Sequence, residues 1–280
     1  QGYVASSNSS SFTFGTAGSY PHYETNLSGQ TYVAWCASLP NDFSGTTNSS
    51  KVYTGKSNSF MSITEYEPSG TANHQIPHNL SKIPELTIHK NTVGNANHWA
   101  VNVPLINASN HMYLNLTNAF EATGRFFTSA DETNIVLGAD TTGQYNYAYT
   151  SGKYLQICFT SVEGLCKVGS YTGTGVAGNE VECGFEPAWV MIKRTDAIVD
   201  WLILDNERGT LTTNDPLLRP NTSGTESTLY NNLDFNATGF ELIQDLLHSN
   251  ASGGTYIYLA IAKNTPEDLR IKETFEASGI

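Results

Sequence analysis

Four carboxylates crowd one short stretch of the chain: Asp196, Asp200, Asp205 and Glu207. Glycan cleavage needs two carboxyl groups about 5–9 Å apart across the scissile bond, so a polysaccharide-cleaving site is the first chemistry this grouping could perform. The matching stretch earlier in the chain carries Asn97 and Asn102 instead. Such a site would be confined to one half of the protein, and the grouping is read instead as charges marking the solvent ends of strands. His74 and His78 have the i, i+4 spacing of a helical metal pair, but Pro77 and the lack of apolar periodicity place them on a loop as solvated histidines. Asp131, Glu132 and Asp140 could gather calcium, although no spaced ligand motif supports it. Trp35, Trp99, Trp189 and Trp201 could stack on sugars. The recurrence of Trp99 and Trp201 at matched strand positions predicts core packing instead. Gly173-Thr-Gly175 reads as a turn, and no phosphate-binding glycine loop, nucleophile elbow or H-E-x-x-H is present. The expectation is therefore no catalytic, cofactor-binding or metal residue, and no enzyme.

The four cysteines lead to a similar reading. Cys36 and Cys158 occupy equivalent places where a third copy has Ala260, a position for a small buried group, which free Cys suits. Cys166 and Cys183 could face each other across paired strands and form a disulfide. No structural zinc spacing exists. Sequons begin at Asn8, Asn26, Asn48, Asn79, Asn107, Asn115, Asn221, Asn236 and Asn250. In a chain this rich in Asn, Ser and Thr, composition alone produces them.

The elements that would position these residues repeat. Tyr32-Val-Ala-Trp-Cys36, Tyr154-Leu-Gln-Ile-Cys158 and Tyr256-Ile-Tyr-Leu-Ala260 each follow a Ser-Gly turn, beginning 122 and then 102 residues apart (32, 154 and 256). A second anchor keeps the same order of Pro, a five-residue run, Lys and Trp: Pro84, Lys90 and Trp99, then Pro187, Lys193 and Trp201. These periods are too long for a solenoid and indicate domain-sized units from an internal duplication. Short apolar or alternating runs broken by Gly, Asn and Pro predict strands at Leu86 to Lys90, Trp99 to Val103, Val190 to Lys193, Trp201 to Leu204 and Tyr256 to Ala262. Leu242 to His248 looks briefly helical, and Thr265 to Asp268 carries a helix-start signature. The expected fold is all-β, tandem β-sandwich (jelly-roll-like) domains. Residues 1–36 would end a preceding unit, 37–158 and 159–260 would be two units, and 261–280 a C-terminal extension. Ser44 to Ser59, Thr141 to Asn146 and Thr222 to Glu226 read as tip loops, the first places to look for recognition. Tyr145, Tyr147 and Tyr149 alternate as one strand face.

Only 14% of the 280 residues are charged and the formal net charge is −12, with 14 Lys plus Arg. Without clustered basic residues, nucleic acid and anionic membrane surfaces are excluded as expected partners. No run of 18 apolar residues is present. The chain starts at Gln1 with no signal peptide, which predicts a portion of a longer polypeptide or a processed product.

Several segments are similar to a known family. Gly169-Ser-Tyr-Thr-Gly-Thr-Gly175, Gly184 to Asp196, Asp200-Trp-Leu-Ile-Leu-Asp205 and Asn250 to Tyr258 resemble a domain of unknown function repeated in predicted tail-fibre and other virion proteins of marine bacteriophages. His78-Asn-Leu-Ser-Lys-Ile-Pro-Glu85 and the Tyr154 strand with Val162-Glu-Gly164 resemble its companion form. The resemblance covers roughly residues 60–263 and departs at Ser81, where the pattern favours Gly. It implies a non-enzymatic virion structural protein on the particle surface, a segment of a tail fibre or appendage, with host-surface glycan adhesion. Its expected partners are further copies of itself (a trimer, as fibres commonly form), other virion proteins and host glycans. The alternatives are an extracellular filament or cell-surface protein, and a tailspike glycan depolymerase.

Overall fold

The computed structural model describes residues 4–7, 12–14, 31–92, 97–122, 127–139, 152–208, 215–263 and 272–276. The chain divides into two units, one from residues 1–38 with 266–280 and the other from residues 39–265. The smaller unit contains β1 (Val4–Ser7) paired with β2 (Phe12–Phe14), and β3 (Thr31–Cys36) paired with a strand at Lys272–Glu276.

The larger unit begins with the strands β4 (Asn41–Thr46), β5 (Val52–Ser57), β6 (Met61–Tyr66), β7 (His74–Pro77), β8 (Leu86–Asn91) and β9 (Ala100–Val103). One helical turn, α1 (Pro104–Asn107), leads to β10 (Ala108–Tyr113), β11 (Glu121–Ala122), β12 (Phe127–Ala130), β13 (Asn134–Leu137) and β14 (Tyr154–Phe159). They form an eight-stranded sheet in the order β11-β10-β9-β8-β14-β6-β5-β4, with β12-β13-β7 as a second sheet. Then follow β15 (Cys166–Thr172), β16 (Asn179–Glu182), β17 (Pro187–Arg194), β18 (Leu202–Asp205), β19 (Leu217–Leu218), β20 (Leu233–Phe235), β21 (Gly239–Leu242) and β22 (Thr255–Ala262). These make a five-stranded sheet, β15-β22-β17-β18-β19, and a three-stranded sheet, β16-β21-β20. The protein is all-β, with two layered sandwiches covering most of the described chain. The remaining short strand, β23, is Lys272–Glu276 of the smaller unit.

Strand for strand, the two sandwiches have the same order. β6, β14, β8, β9 and β10 of the first sit as β15, β22, β17, β18 and β19 of the second, and β7, β13 and β12 as β16, β21 and β20. Local bonds match as well. The Trp99 amide donates to Asn115 Oδ1 at 2.9 Å and the Trp201 amide to Asn221 Oδ1 at 2.9 Å. The rings of Tyr66 and Tyr154 stack at 5.6 Å, as do those of Tyr171 and Tyr256 at 4.9 Å. The closing Tyr strands β14 and β22 are central in their sheets, each paired on both sides.

The interiors differ in chemistry. The second core is apolar, built from Val190, Ile192, Leu202, Leu204, Leu217, Leu233, Phe240, Leu242 and Tyr258. In the first, ladder register puts Ser62, Cys158, Thr87, Asn102 and His111 in one row and Thr64, Gln156, His89 and Ala100 in the next. All nine are buried. Apolar residues of the small sheet, Ile76, Ile135, Leu137 and Phe127, complete that core.

The sandwiches meet along the 114–120 segment. Lys193 Nζ donates to Thr117 O and Val199 O at 3.1 and 2.8 Å, and Trp201 Nε1 to Tyr113 O at 2.9 Å. The Val199 amide reaches Thr117 O and the Phe120 amide Thr195 O.

Several expectations need correction. Ser44 to Ser59 is mostly strand: the six-residue strands β4 and β5 pair as an antiparallel hairpin spanning Asn41 to Ser57. Leu242 to His248 leaves β21 through bends and turns without helix. All four cysteines are free. Cys166 belongs to the five-stranded sheet while Cys183 follows β16 in the other layer, so the two do not face each other across paired strands. Cys158 and Ala260 are both fully buried, as the small-residue position requires, whereas Cys36, expected to be buried like them, is exposed. Asp140, Thr141 to Asn146, the three alternating tyrosines and Thr265 to Asp268 lie outside the described residues.

Candidate functional site

The eight-stranded sheet outreaches the three-stranded one, and its last two strands, β5 and β4, overhang the edge strand β7. Register assigns the inward face of this overhang. Tyr66, Thr64 and Ser62 face the core, so their partners Tyr53, Gly55 and Ser57 share that face, as do Phe43 and Gly45 on β4. Each aromatic side chain lies opposite a glycine. A Cβ at Gly55 would collide with the Phe43 ring, and one at Gly45 would meet Tyr53 Oη at 2.9 Å. The rings therefore lie flat over bare backbone, 6.2 Å apart between centroids.

Between the overhang and β7 runs a groove of about 390 Å³, lined by Phe43, Tyr53, Pro77, Asn79, Ser81, Glu132 and Thr133. Two aromatic faces, amide and hydroxyl groups and one carboxylate make up its wall. Pockets of this composition hold polar ligands with apolar faces: rings take the ligand's C–H face and a few polar groups fix its orientation. On the opposite face of the same hairpin, Asp42 pairs with Lys56 and Glu65 with Lys153 beside Ile63 and Leu155.

Hydrogen bonds clamp the groove at both ends. At the hairpin tip, Asn48 Oδ1 accepts the Gln75 amide at 2.9 Å while its Nδ2 donates to Asn73 O at 2.8 Å. Thr47 Oγ1 lies 2.9 Å from His74 Nε2 and also accepts the Lys51 amide at 3.2 Å. At the base, Asn79 Nδ2 donates to Ser57 Oγ at 3.0 Å. The backbone is left-handed at Ser50, Asn73, Asn79 and Ser81 (φ between 53° and 61°), and every one of these residues borders or clamps the overhang. Such conformations outside glycine cost free energy and persist where surrounding bonds enforce them.

His74 and His78, expected as solvated, are both fully buried. His78 Nδ1 accepts the Leu80 amide, so Nε2 carries the proton and donates to Asp131 O at 3.0 Å. Burial lowers the His78 pKa and keeps the ring neutral. It thereby fixes the turn that brings Glu132 and Thr133 to the groove. Asp131 Oδ1 caps that turn, accepting the Thr133 and Asn134 amides at 2.7 Å. Its side chain is therefore engaged as a turn cap.

The clustered carboxylates are likewise engaged one by one. Asp196 pairs with Arg194, Asp200 with Arg219, and Asp205 with Arg208. Asp200 also accepts Asn221 Nδ2, and Asp205 the Glu207 and Arg208 amides. Glu207 is exposed. Trp201 is 1% exposed and serves the joint between sandwiches, while Trp99 and Trp189 are partly buried in or beside strands. Asn250, a sequon residue, is fully buried, bonding Thr174 N, Asn179 Nδ2, Val176 O and Gln244 O. Sequence reasoning missed Phe43 and Tyr53, although each faces a glycine across paired strands, a pattern visible only once the register is known.

A family model described as "Domain of unknown function (DUF7483)" matches residues 1–265. No curated protein and no solved structure matches the chain.

Proposed function

We propose that this chain, which belongs to the family of unknown function whose model it matches, is a non-enzymatic structural protein of a bacteriophage virion. It forms a segment of a tail fibre or surface appendage and contacts host-surface glycans through the Phe43–Tyr53 groove. The observation that carries this reading is the tandem of two sandwiches with one strand order. It supports descent of the two halves from one duplicated unit and suits a chain that provides reach and repeated weak contacts. Two further features are consistent with it. The clustered carboxylates sit in ion pairs or in solvent, and the groove offers stacking faces with amide and hydroxyl groups.

The test is binding of the full chain to host-derived polysaccharides on an array, with wild type, Phe43→Ala and Tyr53→Ala in parallel. Removing one stacking face should weaken binding roughly tenfold, from about 1–2 kcal/mol of lost contact, with the circular dichroism spectrum and polysaccharide viscosity unchanged. Equal binding by all three proteins contradicts the groove assignment, and falling viscosity contradicts the non-enzymatic reading.

A further inference from the structure

The outer face of the β16-β21-β20 sheet carries an acidic row. Register places Glu180 opposite Glu241 and Glu241 opposite Asp234. Like charges directly opposite on neighbouring strands repel, and no ion pair among the described residues includes any of the three. At the β20 end of the row a second feature coincides. Asp215 is fully buried, and its Oδ2 accepts the amides of Asn232 and Leu233, the latter at 2.9 Å. Leu233 points into the core, so Asn232 and Asp234, two residues apart, lie on the opposite side, with the Asp215 carboxylate bonded to the main chain beside them.

Here the side-chain oxygens outnumber their donors. Asp215 Oδ1, Asn231 Oδ1, Asn232 Oδ1 and Asp234 Oδ1 are all buried without a hydrogen-bond partner. Asp215 and Asn232 are 0% exposed. A buried acceptor left unmatched costs about 1–3 kcal/mol, so native proteins rarely leave one without a water or an ion. Four on Asp215 and the 231–234 stretch its carboxylate binds, two of them carboxylate oxygens, ask for a cation. No three acidic, His or Cys side chains converge among the described residues, so the two amides must complete the donor set.

We propose that Asp215, Asn232 and Asp234, with Asn231 beside them, form a binding site for a hard divalent cation of the calcium type. An all-oxygen set of carboxylates and amides matches calcium and disfavours zinc or copper, which take imidazole or thiolate. Bound there, the ion neutralises the end of the acidic row and ties the 215–230 segment to the small sheet of the second sandwich.

The test is thermal unfolding of the EDTA-treated full chain, with CaCl2 added up to about 10 mM, the range of weak extracellular sites. NaCl of equal ionic strength is the control. Calcium should raise the midpoint by roughly 2–8 °C, and NaCl should not. Asp234→Asn, which keeps the shape and removes the charge, should abolish the shift. Glu180→Gln, at the exposed far end of the row, should retain it. No calcium-dependent shift in wild type, an equal shift with NaCl, or equal loss in both variants would each overturn the site.

Discussion

Ser81 shows how one residue carries the tension between a sequence pattern and its backbone. Its φ is +53°, a conformation that glycine adopts without a Cβ penalty. The resemblance departs from its pattern at this residue, where Gly is favoured, and the structure supplies the reason. Ser81→Gly should stabilise the protein by up to about 1 kcal/mol, measured by urea unfolding; a loss of stability contradicts the strain. The histidines were misread for a physical reason of spacing. Residues at i and i+4 share a face on a strand of period two as well as on a helix, and His74, Ile76 and His78 all point inward along or just beyond β7. Burial makes these groups acid-sensitive. It lowers His78 and His111 and brings His89 to about 3. With the folded pKa below the unfolded value, the stabilisation is complete above about pH 6.5 and is lost as pH falls towards the folded pKa. His89 alone should account for about 2 kcal/mol by about pH 5.

At the scale of elements, that loss should be local. His78, His89 and His111 belong to the first sandwich, whose buried rows are polar, while the equivalents of Thr87, His89 and Asn102 in the second are Val190, Ile192 and Leu204. Hydrogen exchange at about pH 5 should therefore show β6, β8 and β14 opening before β17, β18 and β22; simultaneous opening contradicts the assignment. The joint makes its own prediction. Trp201→Phe keeps most of the ring but leaves Tyr113 O without its donor, costing about 1–3 kcal/mol, and denaturation should then separate into two transitions. A single unshifted transition counts against the joint. The central strands were legible because burial on both faces makes them continuous apolar runs, as in Trp201-Leu-Ile-Leu204. The β4–β5 hairpin was not. It stands at the sheet edge, where Ser, Thr and Gly suffice, so composition alone reads as loop. The helical look of Leu242 to His248 came from a strand end running into a turn, where adjacent apolar residues imitate a helix face.

For the whole molecule, the all-β character was legible in the short apolar and alternating runs, and the larger unit holds two sets of sheets with the same strand order. The groove was hidden because it depends on two sheets of unequal width, which no local pattern encodes. On the proposed function the molecule is a spacer with recognition at its side, acidic overall, with Asp196, Asp200 and Asp205 held in ion pairs. No helix among the described residues is long and apolar enough to cross a membrane. The most direct test is a side-chain-resolution cryo-EM reconstruction of the particle that carries this chain. The account predicts several copies about an axis projecting from a capsid or tail, with the Phe43–Tyr53 groove facing outward. Copies stacked head to tail in a filament without a virion would contradict it.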